Sequence, residues 1–262
     1  MSSWRIKPFL RDHVYAGRSL IFLKEIDSTN RFCLREKELL ECPGLVVRAQ
    51  KQSAGIGRMG RRWEQGEGNH LFSSFILRPP PRMERIPTMT LLCGLALLRT
   101  IKGLGLNNRV SIKWPNDILL NGKKVSGILC QSTTVDKNKK IIVAGIGVNV
   151  GGKANQFSNE LINKATTLEE QGITITPGKL LEHIAVQLER IMQDVSKGHL
   201  SKLLDEWVQN SMCLGKTIIF HENDRKLRGI ITSIDEYGRL IVRDIYGAFH
   251  LVESGEINYH YD

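Results

Sequence analysis

The chain has 262 residues, of which 41% are hydrophobic and 24% charged, and its formal net charge is +10. This composition is typical of a globular protein rather than a disordered one, and no apolar run approaches the ~20 residues that a membrane-spanning helix needs. The positive charge is compatible with an anionic substrate, an acidic protein partner, nucleic acid or a plain solvated surface. Five scattered cysteines without metal-ligand spacing favour reduced thiols and a cytoplasmic location.

The first hundred residues predict short strands alternating with helices. Their apolar runs and helical spacings predict, in chain order, a strand over 20–24, a helix from about 28 to 37, strands over 45–49 and 70–77, and a helix over 87–101. Asp27-Ser28-Thr29-Asn30 consists of residues that favour the N-terminus of a helix. The Gly/Arg-rich segment 54–63 is predicted to be a loop.

The middle of the chain predicts strands again. These are expected over 110–113, 118–120, 123–131 and 141–150, with helices over 177–195 and 200–210 and a polar loop over 151–163. Asn121-Gly122 is a strong signal for a two-residue hairpin turn. The glycines within 141–150 indicate a strand that runs close to another group.

The end of the chain has a different character. Short strands predicted over 217–220, 227–234, 240–243 and 249–252 alternate with turn signals, which is typical of a small β-barrel. We therefore predict an α+β protein with two domains: a mixed β-sheet domain with helices packed on it over 1–212, and a small C-terminal barrel over 213–262.

The loop from Ala54 to Trp63 interleaves three glycines with three arginines. Glycine allows a backbone to turn its N–H groups toward a ligand, and arginine supplies forked donors for carboxylate and phosphate oxygens. The loop therefore suggests an anion site, although a solvated turn has the same composition.

Lys113-Trp114-Pro115-Asn116-Asp117 places polar groups directly after a predicted strand. A buried tryptophan beside an Asx-type turn would explain this tract equally well on local grounds. Lys124 begins the next apolar strand, where a solvated hairpin lysine is the alternative to a catalytic one.

Considered together, five segments are a more specific signal of function than any one of them alone. They are Asp27-Ser28-Thr29-Asn30, the segment Gln52 to Trp63, Lys113 to Asp117, Lys124-Val125-Ser126-Gly127-Ile128-Leu129, and Gly145-Ile146-Gly147-Val148-Asn149. In this order they resemble the motifs of the biotin–protein ligases across residues 20–150. The closing strands are similar to the small C-terminal, SH3-like β-barrel of that family.

The resemblance implies a two-step reaction. The carboxylate of biotin would attack the α-phosphorus of ATP to give biotinyl-5′-AMP and pyrophosphate. A lysine of a biotin carboxyl carrier domain, such as that of acetyl-CoA carboxylase, would then take the biotinyl group and release AMP. Magnesium would arrive with ATP, held largely by phosphates and water.

The resemblance also implies a role for individual residues, with Lys124 and Arg58 as the catalytic pair. The biotin-binding residues would be Ser28, Thr29, Asn30, Gln52, Ile56, Gly57, Arg58 and Lys124. The ATP- and adenylate-binding residues would be Arg58, Arg61, Lys113, Asn116 and Asn149. Asp117 would be a carboxylate linked to Mg²⁺, and Trp63 and Trp114 could wall the apolar part of biotin or simply pack in the core.

Two features depart from the family pattern. Ile56 stands where many members carry arginine, so Arg58, Arg61 and Lys124 are expected to supply more of the positive charge. Only 26 residues precede Asp27, too few for the winged helix-turn-helix of repressor members, so no specific DNA binding is expected. A homodimer is possible but not indicated by the sequence.

Two other functions compete with this one. A lipoate or octanoate transferase would share the fold but would have no use for the ureido partners Ser28, Thr29, Asn30 and Gln52. A basic nucleic-acid-binding protein with a β-barrel tail would explain the net charge of +10 but would leave the Lys113–Asp117 and Lys124–Leu129 segments without a purpose.

Overall fold

The larger part of the computed structural model is an eight-stranded mixed sheet. The structure describes residues 4–80, 85–136, 139–222, 225–253 and 258–260. The strands are β1 (Lys7–Pro8), β2 (Ala16–Ile26), β3 (Gly44–Gln52), β4 (Leu71–Leu77), β5 (Val110–Lys113), β6 (Asp117–Leu120), β7 (Lys123–Val135) and β8 (Lys139–Val148). Their order is β1-β2-β3-β4-β8-β7-β6-β5, and β2 and β3 are parallel while the other neighbours are antiparallel.

Helices cover both faces of this main sheet. They are α1 (Thr29–Arg35), α2 (Lys37–Leu40), α3 (Ile86–Gly103), α4 (Pro177–Ser196) and α5 (Leu200–Gln209). Helices α3, α4 and α5 pack on one face and share its large apolar core, whereas α1 and α2 pack on the other face over a smaller cluster that includes Val47 and Ile76. Because side chains alternate along a strand, Ser74 of β4 lies on the same face as Ile76 and α1.

The predicted α+β class and most predicted elements are confirmed, with shifted ends. The strand expected over 20–24 runs from Ala16 to Ile26, and β1 was not predicted. The helix expected to end near Lys37 ends at Arg35, because Glu36 leaves the helical conformation before α2 begins. The predicted hairpin turn is present, and Asn121 and Gly122 both have the positive φ that a type I′ turn needs (50° and 76°).

The chain ends in a second, antiparallel sheet, which we call the C-terminal sheet. Its strands are β9 (Thr217–Glu222), β10 (Arg225–Ile234), β11 (Leu240–Asp244), β12 (Phe249–Val252) and β13 (Asn258–His260), in the order β12-β11-β10-β9-β13. The sheet is strongly curved, because His250 on β12 comes within 2.9 Å of Glu222 on β9 although two strands separate them. The small C-terminal β unit is therefore confirmed. Its closure into an SH3-like barrel and the domain boundary at 212/213 stay predictions.

All five cysteines are free thiols, as their spacing predicted. Among the described residues, no helix is long and apolar enough to cross a membrane. A cytoplasmic location stays a prediction.

Candidate active site

A cleft of about 820 Å³ lies on the α1 face of the main sheet. The structure brings all thirteen residues that the sequence singled out to its wall. They are Ser28, Thr29, Asn30, Gln52, Ile56, Gly57, Arg58, Arg61, Lys113, Asn116, Asp117, Lys124 and Asn149. These residues come from five separate segments, so it is the fold that brings them together.

One end of the cleft is neutral and hydrogen-bonded. The side-chain oxygen of Gln52 accepts hydrogen bonds from the backbone N–H (2.7 Å) and the hydroxyl (3.1 Å) of Thr29. The Ser74 hydroxyl lies 2.7 Å from Thr29 Oγ1 and 2.6 Å from Asn30 Oδ1. The amide of Asn30 donates to Leu129 O and to Gln131 Oε1. This neutral end is thus a connected chain of donors and acceptors, fixed by bonds among its own members.

Ser74 and Gln131 were missed by the sequence analysis. Ser74 is fully buried, and the buried pair Ser73-Ser74 in the middle of the apolar strand β4 was the signal that could have found it. Gln131 gave no such signal, because its partner Asn30 is about a hundred residues away in the chain. Gly145 is also part of this end, since a Cβ there would overlap Asn30 Oδ1. The prediction that the glycines of β8 run close to another group is therefore confirmed.

In the Gly/Arg loop, three of the backbone N–H groups that could have formed the predicted anion nest are bonded within the loop. The backbone N–H groups of Gly57, Arg61 and Trp63 donate to loop carbonyls (Arg61 O, Arg58 O and Gly55 O, respectively), so these three cannot turn toward an anion. A short 3₁₀ turn, Arg58–Gly60, lies between them, and its Met59 and Gly60 have positive φ. The loop therefore presents charge through its arginine side chains.

Trp63 ends this loop and lies flat against two glycines. A Cβ on Gly127 or Gly147 would come within 2.7 or 2.9 Å of the indole ring, so only glycine leaves room for it. The indole Nε1 is buried and has no hydrogen-bond partner among the described residues. Of the two interpretations of Trp63, a wall of the cleft is the one that this position supports.

Arg58 is held at the other, cationic end of the cleft. Its Nη1 donates to Asn116 Oδ1 (3.3 Å), and the amide nitrogen of Asn116 donates to Ile128 O (3.0 Å). Partial burial lowers the pKa of the Arg58 guanidinium, whereas the nearby Asp117 carboxylate opposes that change. An arginine still carries its charge at neutral pH under such conditions. A partly desolvated cation of this kind binds an anion more strongly than a fully hydrated one.

Lys124 is the second fixed cation of this end. Its Nζ lies 2.7 Å from Asp117 Oδ1 and 5.4 Å from the centre of the Trp63 ring. Its backbone is anchored by Lys164 and Thr166, which place the strand start beside the loop 154–165. The interpretation of Lys124 as a hairpin lysine in solvent is therefore wrong: it faces the cleft.

The remaining sequence candidates occupy the wall in different ways. Asn149 is buried, and its amide donates to Thr166 O at 3.1 Å, so the amide nitrogen is already used within the fold. Lys113 lines the cleft near its cationic end. Trp114 is only 4% exposed and also borders the cleft, so the core and wall interpretations both hold for it.

Comparison with known proteins identifies this arrangement. Residues 22–149 match the model of the biotin/lipoate A/B protein ligase family. The biotin--[acetyl-CoA-carboxylase] ligase of Paracoccus denitrificans is 32% identical over 225 residues, which cover 84% of this chain and 92% of that protein. The chain belongs to the biotin protein ligase family.

Two further relatives show how far the likeness to biotin protein ligases extends. The Aquifex aeolicus biotin protein ligase, solved in complex with biotin and ATP, superposes with a TM-score of 0.75 at 27% identity, covering 93% of this chain and 99% of that one. The bifunctional ligase/repressor BirA of Bacillus spizizenii is 31% identical over 239 residues, which cover 88% of this chain and 73% of that protein.

The carboxylates of the cleft bear on the magnesium that family members are expected to use. Asp117 and Glu64 line the cleft, but Asp117 is paired with Lys124 and Glu64 accepts hydrogen bonds from Ser158. The described residues include no group of three His, Cys, Asp or Glu side chains that could hold a metal ion. A metal-linked role for Asp117 stays a prediction.

Proposed function

We propose that this protein is an ATP-dependent ligase that attaches biotin to a lysine of a biotin carboxyl carrier domain. In the first step a biotin carboxylate oxygen forms a bond to the α-phosphorus of ATP, and the bond from that phosphorus to the bridging oxygen breaks to release pyrophosphate. In the second step the amine of the carrier lysine attacks the biotinyl carbonyl. The amine then loses a proton, and AMP leaves.

The observation that carries this proposal is the contrast between the two ends of one cleft. A ureido ring presents a carbonyl and two N–H groups, which lose free energy on burial unless each meets a partner. Thr29, Asn30 and Gln52 line the cleft and offer such partners at the neutral end, with Ser74 behind them. The adjoining cations then lie where the carboxylate and the phosphates of a bound biotin and ATP would meet.

The cations have distinct roles in this mechanism. Two anions must approach each other, so positive charge has to be fixed before they react, and each preorganised donor in a dry site contributes about 3–4 kcal/mol to such a step. We assign Arg58 and Lys124 to the carboxylate and the α-phosphate, and Arg61, Lys113, Asn116 and Asn149 to the rest of the adenylate. Magnesium supplies further charge on the pyrophosphate that leaves.

Biotin is favoured over lipoate as the acid. The matched family model spans both chemistries, but a lipoyl chain has no group that would need the hydrogen-bonding partners of the neutral end. The relatives compared above are named as biotin ligases.

The carrier is proposed to be the biotin carboxyl carrier domain of an acetyl-CoA carboxylase, the substrate named for the Paracoccus relative. An acidic carrier would be steered toward this chain by its net charge of +10, which raises the association rate more than the affinity. Transfer rates that do not change with salt would contradict this. The absence of specific DNA binding and the homodimer stay predictions.

One experiment tests the central proposal. The purified protein is incubated with biotin, magnesium-ATP and a carrier domain, and the mass of the carrier is measured. We expect one biotinyl group on the carrier lysine, none on a carrier whose lysine is replaced by arginine, and none when lipoate replaces biotin. A folded protein that transfers no biotin would contradict the proposal, and transfer of lipoate instead would favour the competing transferase.

A further inference from the structure

The back of the cleft is in contact with the C-terminal sheet. The indole Nε1–H of Trp114 donates to the backbone carbonyl of Gly238 at 3.1 Å, and this bond is buried. Gly238 lies in the turn 235–239, which joins β10 to β11. This turn lines no part of the cleft, but it contacts Trp114, which belongs to the segment Lys113–Asp117 in the rear wall of the cleft.

The same turn is fixed against the start of α3. The buried hydroxyl of Thr88 donates to Glu236 O at 3.0 Å. Gly238 has a φ of +80°, and a Cβ on it would lie 3.1 Å from atoms of Pro87 and Thr88, so the backbone there is in close contact with the helix. The Arg85 guanidinium lies 3.5 Å from the centre of the Tyr237 ring. These contacts leave the turn little freedom to shift.

From Trp114 the chain leads directly to the partners of the two proposed catalytic cations. Asn116, two residues on, accepts the hydrogen bond from Arg58, and Asp117, three residues on, holds Lys124. Both cations are therefore tied to a segment of four residues whose first side chain is anchored by Gly238. A displacement of the Trp114 indole would be passed to Arg58 and Lys124 together.

We propose that the turn 235–239 is a positioning element for adenylate formation, acting through Trp114 on Arg58 and Lys124. This inference rests on the proposed ligase function. Thr88 and Gly238 are positioning residues in it, since neither lines the cleft. The neutral end of the cleft has no hydrogen bond to this turn among the described residues, so the proposal predicts a selective effect on the cationic end.

The test removes one hydroxyl outside the cleft. Thr88→Val deletes the bond to Glu236 with little change of volume, and Thr88→Ser keeps the hydroxyl. Thr100→Val is the matched control, because Thr100 is also buried in α3 but its hydroxyl donates to Ala96 within the helix. We expect Thr88→Val to lower kcat for biotinyl-AMP formation by roughly tenfold, with the KM for biotin within about twofold of wild type.

The other variants sharpen this expectation. Thr88→Ser and Thr100→Val should keep kcat within about twofold of wild type, a change too small to indicate displaced catalytic groups. Trp114→Phe, which removes the donor but keeps an aromatic ring, should reproduce the loss of kcat and serves as the test if Thr88→Val does not fold. Hydrogen exchange of residues 113–117 should increase in Thr88→Val but not in Thr100→Val, which reports the coupling without any assay of activity.

Two results would overturn the proposal. One is equal kcat in Thr88→Val, Trp114→Phe and Thr100→Val, whatever their unfolding temperatures. The other is unchanged hydrogen exchange at 113–117 in Thr88→Val. An inactive wild-type protein would contradict the proposed ligase function instead, while the exchange experiment would still decide whether the turn holds the tract.

Discussion

The two ends of the cleft are built in different ways. At the neutral end, Thr29, Asn30 and Ser74 are buried and bonded to one another, so their geometry exists before any ligand arrives. At the cationic end, Lys124 is 36% exposed and is held by a single carboxylate, that of Asp117. The neutral end can therefore select a ligand by shape and hydrogen bonding, whereas Lys124 at the cationic end has further donors that can turn toward ligand oxygens.

This difference has an energetic reason. A buried hydrogen-bond chain is stable only when nearly all its members are satisfied, so it tolerates little rearrangement. An ion pair between partly exposed groups is worth only about 0–1 kcal/mol, so Lys124 can share its three donors between Asp117 and a phosphate or carboxylate oxygen at little cost. Substitutions at the neutral end should thus change the KM for biotin, and substitutions at the cationic end should change kcat.

The largest expected effect is that of Lys124→Met, which removes a cation from the reacting centre but keeps the length of the chain. We expect biotinyl-AMP formation to slow by roughly 10³-fold, the upper range for loss of one preorganised donor, with little change in the KM for biotin. Pyrophosphate–ATP exchange measures this step. Lys123→Met is the matched control, because Lys123 precedes Lys124 in the chain but does not line the cleft. Equal rates for the two variants would remove the distinction between the ends.

Arg58→Ala should have the next largest effect. The loss of its guanidinium leaves the carboxylate and α-phosphate with less positive charge, which we expect to slow adenylate formation by about 10²-fold. Ile56 supplies no charge, and the nearby Arg61 is assigned to the adenylate rather than to the carboxylate. Arg31→Ala, at an exposed position of α1, is the control. A rate near that of wild type would show that Arg58 does not carry the role assigned to it.

Gly145→Ala tests the neutral end without removing any hydrogen-bonding group. Its new Cβ would overlap Asn30 Oδ1 and displace that side chain from Ser74 and Gln131. We expect the KM for biotin to rise about tenfold, which is the loss of about one hydrogen bond, with kcat changed by less than twofold. Calorimetric titration with biotin alone checks the same quantity. Gly103→Ala is the control, because a Cβ there meets nothing within 4 Å.

A fall in kcat with an unchanged KM for biotin in Gly145→Ala would break the comparison, because it would mean that the neutral end also controls the chemistry. A fall in kcat together with a rise in the KM for biotin would mean that the two ends act as one unit.

The sequence predicted the site better than it predicted the contacts within it. The ordered motifs identified Arg58, Lys124 and Asn30 as site residues. Whether these residues lie together depends on the order of the strands, which the motifs do not give. The strands themselves were predictable because each is a short apolar run between turn signals. Ser74, by contrast, acts through neighbours on other elements: the packing of α1 on the sheet brings Asn30 beside it, and the pairing of β4 with β8 puts Gly145 opposite it.

The backbone of the Gly/Arg loop shows a second limit. Composition predicted its charge and its turns, but whether a given N–H points inward depends on which carbonyl it meets, as Gly57 with Arg61 O shows. The bond between Trp114 and Gly238 was unpredictable for a related reason. It joins residues 124 positions apart, and the docking of two sheets decides it.

The smallest expected effect is a change in stability at His250, in the C-terminal sheet that bears the turn 235–239. His250 is hydrogen-bonded between Asp244 (3.1 Å) and Glu222 (2.9 Å), and the Asp244 bond is the main cause that raises the pKa of His250 above its ordinary 6.5. Because the pKa of His250 is higher in the folded protein than in the unfolded chain, its protonated form stabilises the fold. This contribution is fully present below about pH 6.5 and is lost as the pH rises through the folded-state pKa.

His250→Gln should therefore lower the free energy of unfolding more at about pH 5.5 than at about pH 9, a difference that denaturant titrations at the two pH values can measure. The expected change is small because one of the two carboxylates, that of Glu222, is 43% exposed and exposed ion pairs contribute little. His221→Gln, at an exposed position of β9, should not reproduce it. If the loss were larger at high pH, the imidazolium would not be what ties β12 to β9. The contact between the rings of His250 and Phe220, whose centroids are 5.3 Å apart, would then be the interaction that ties the two strands.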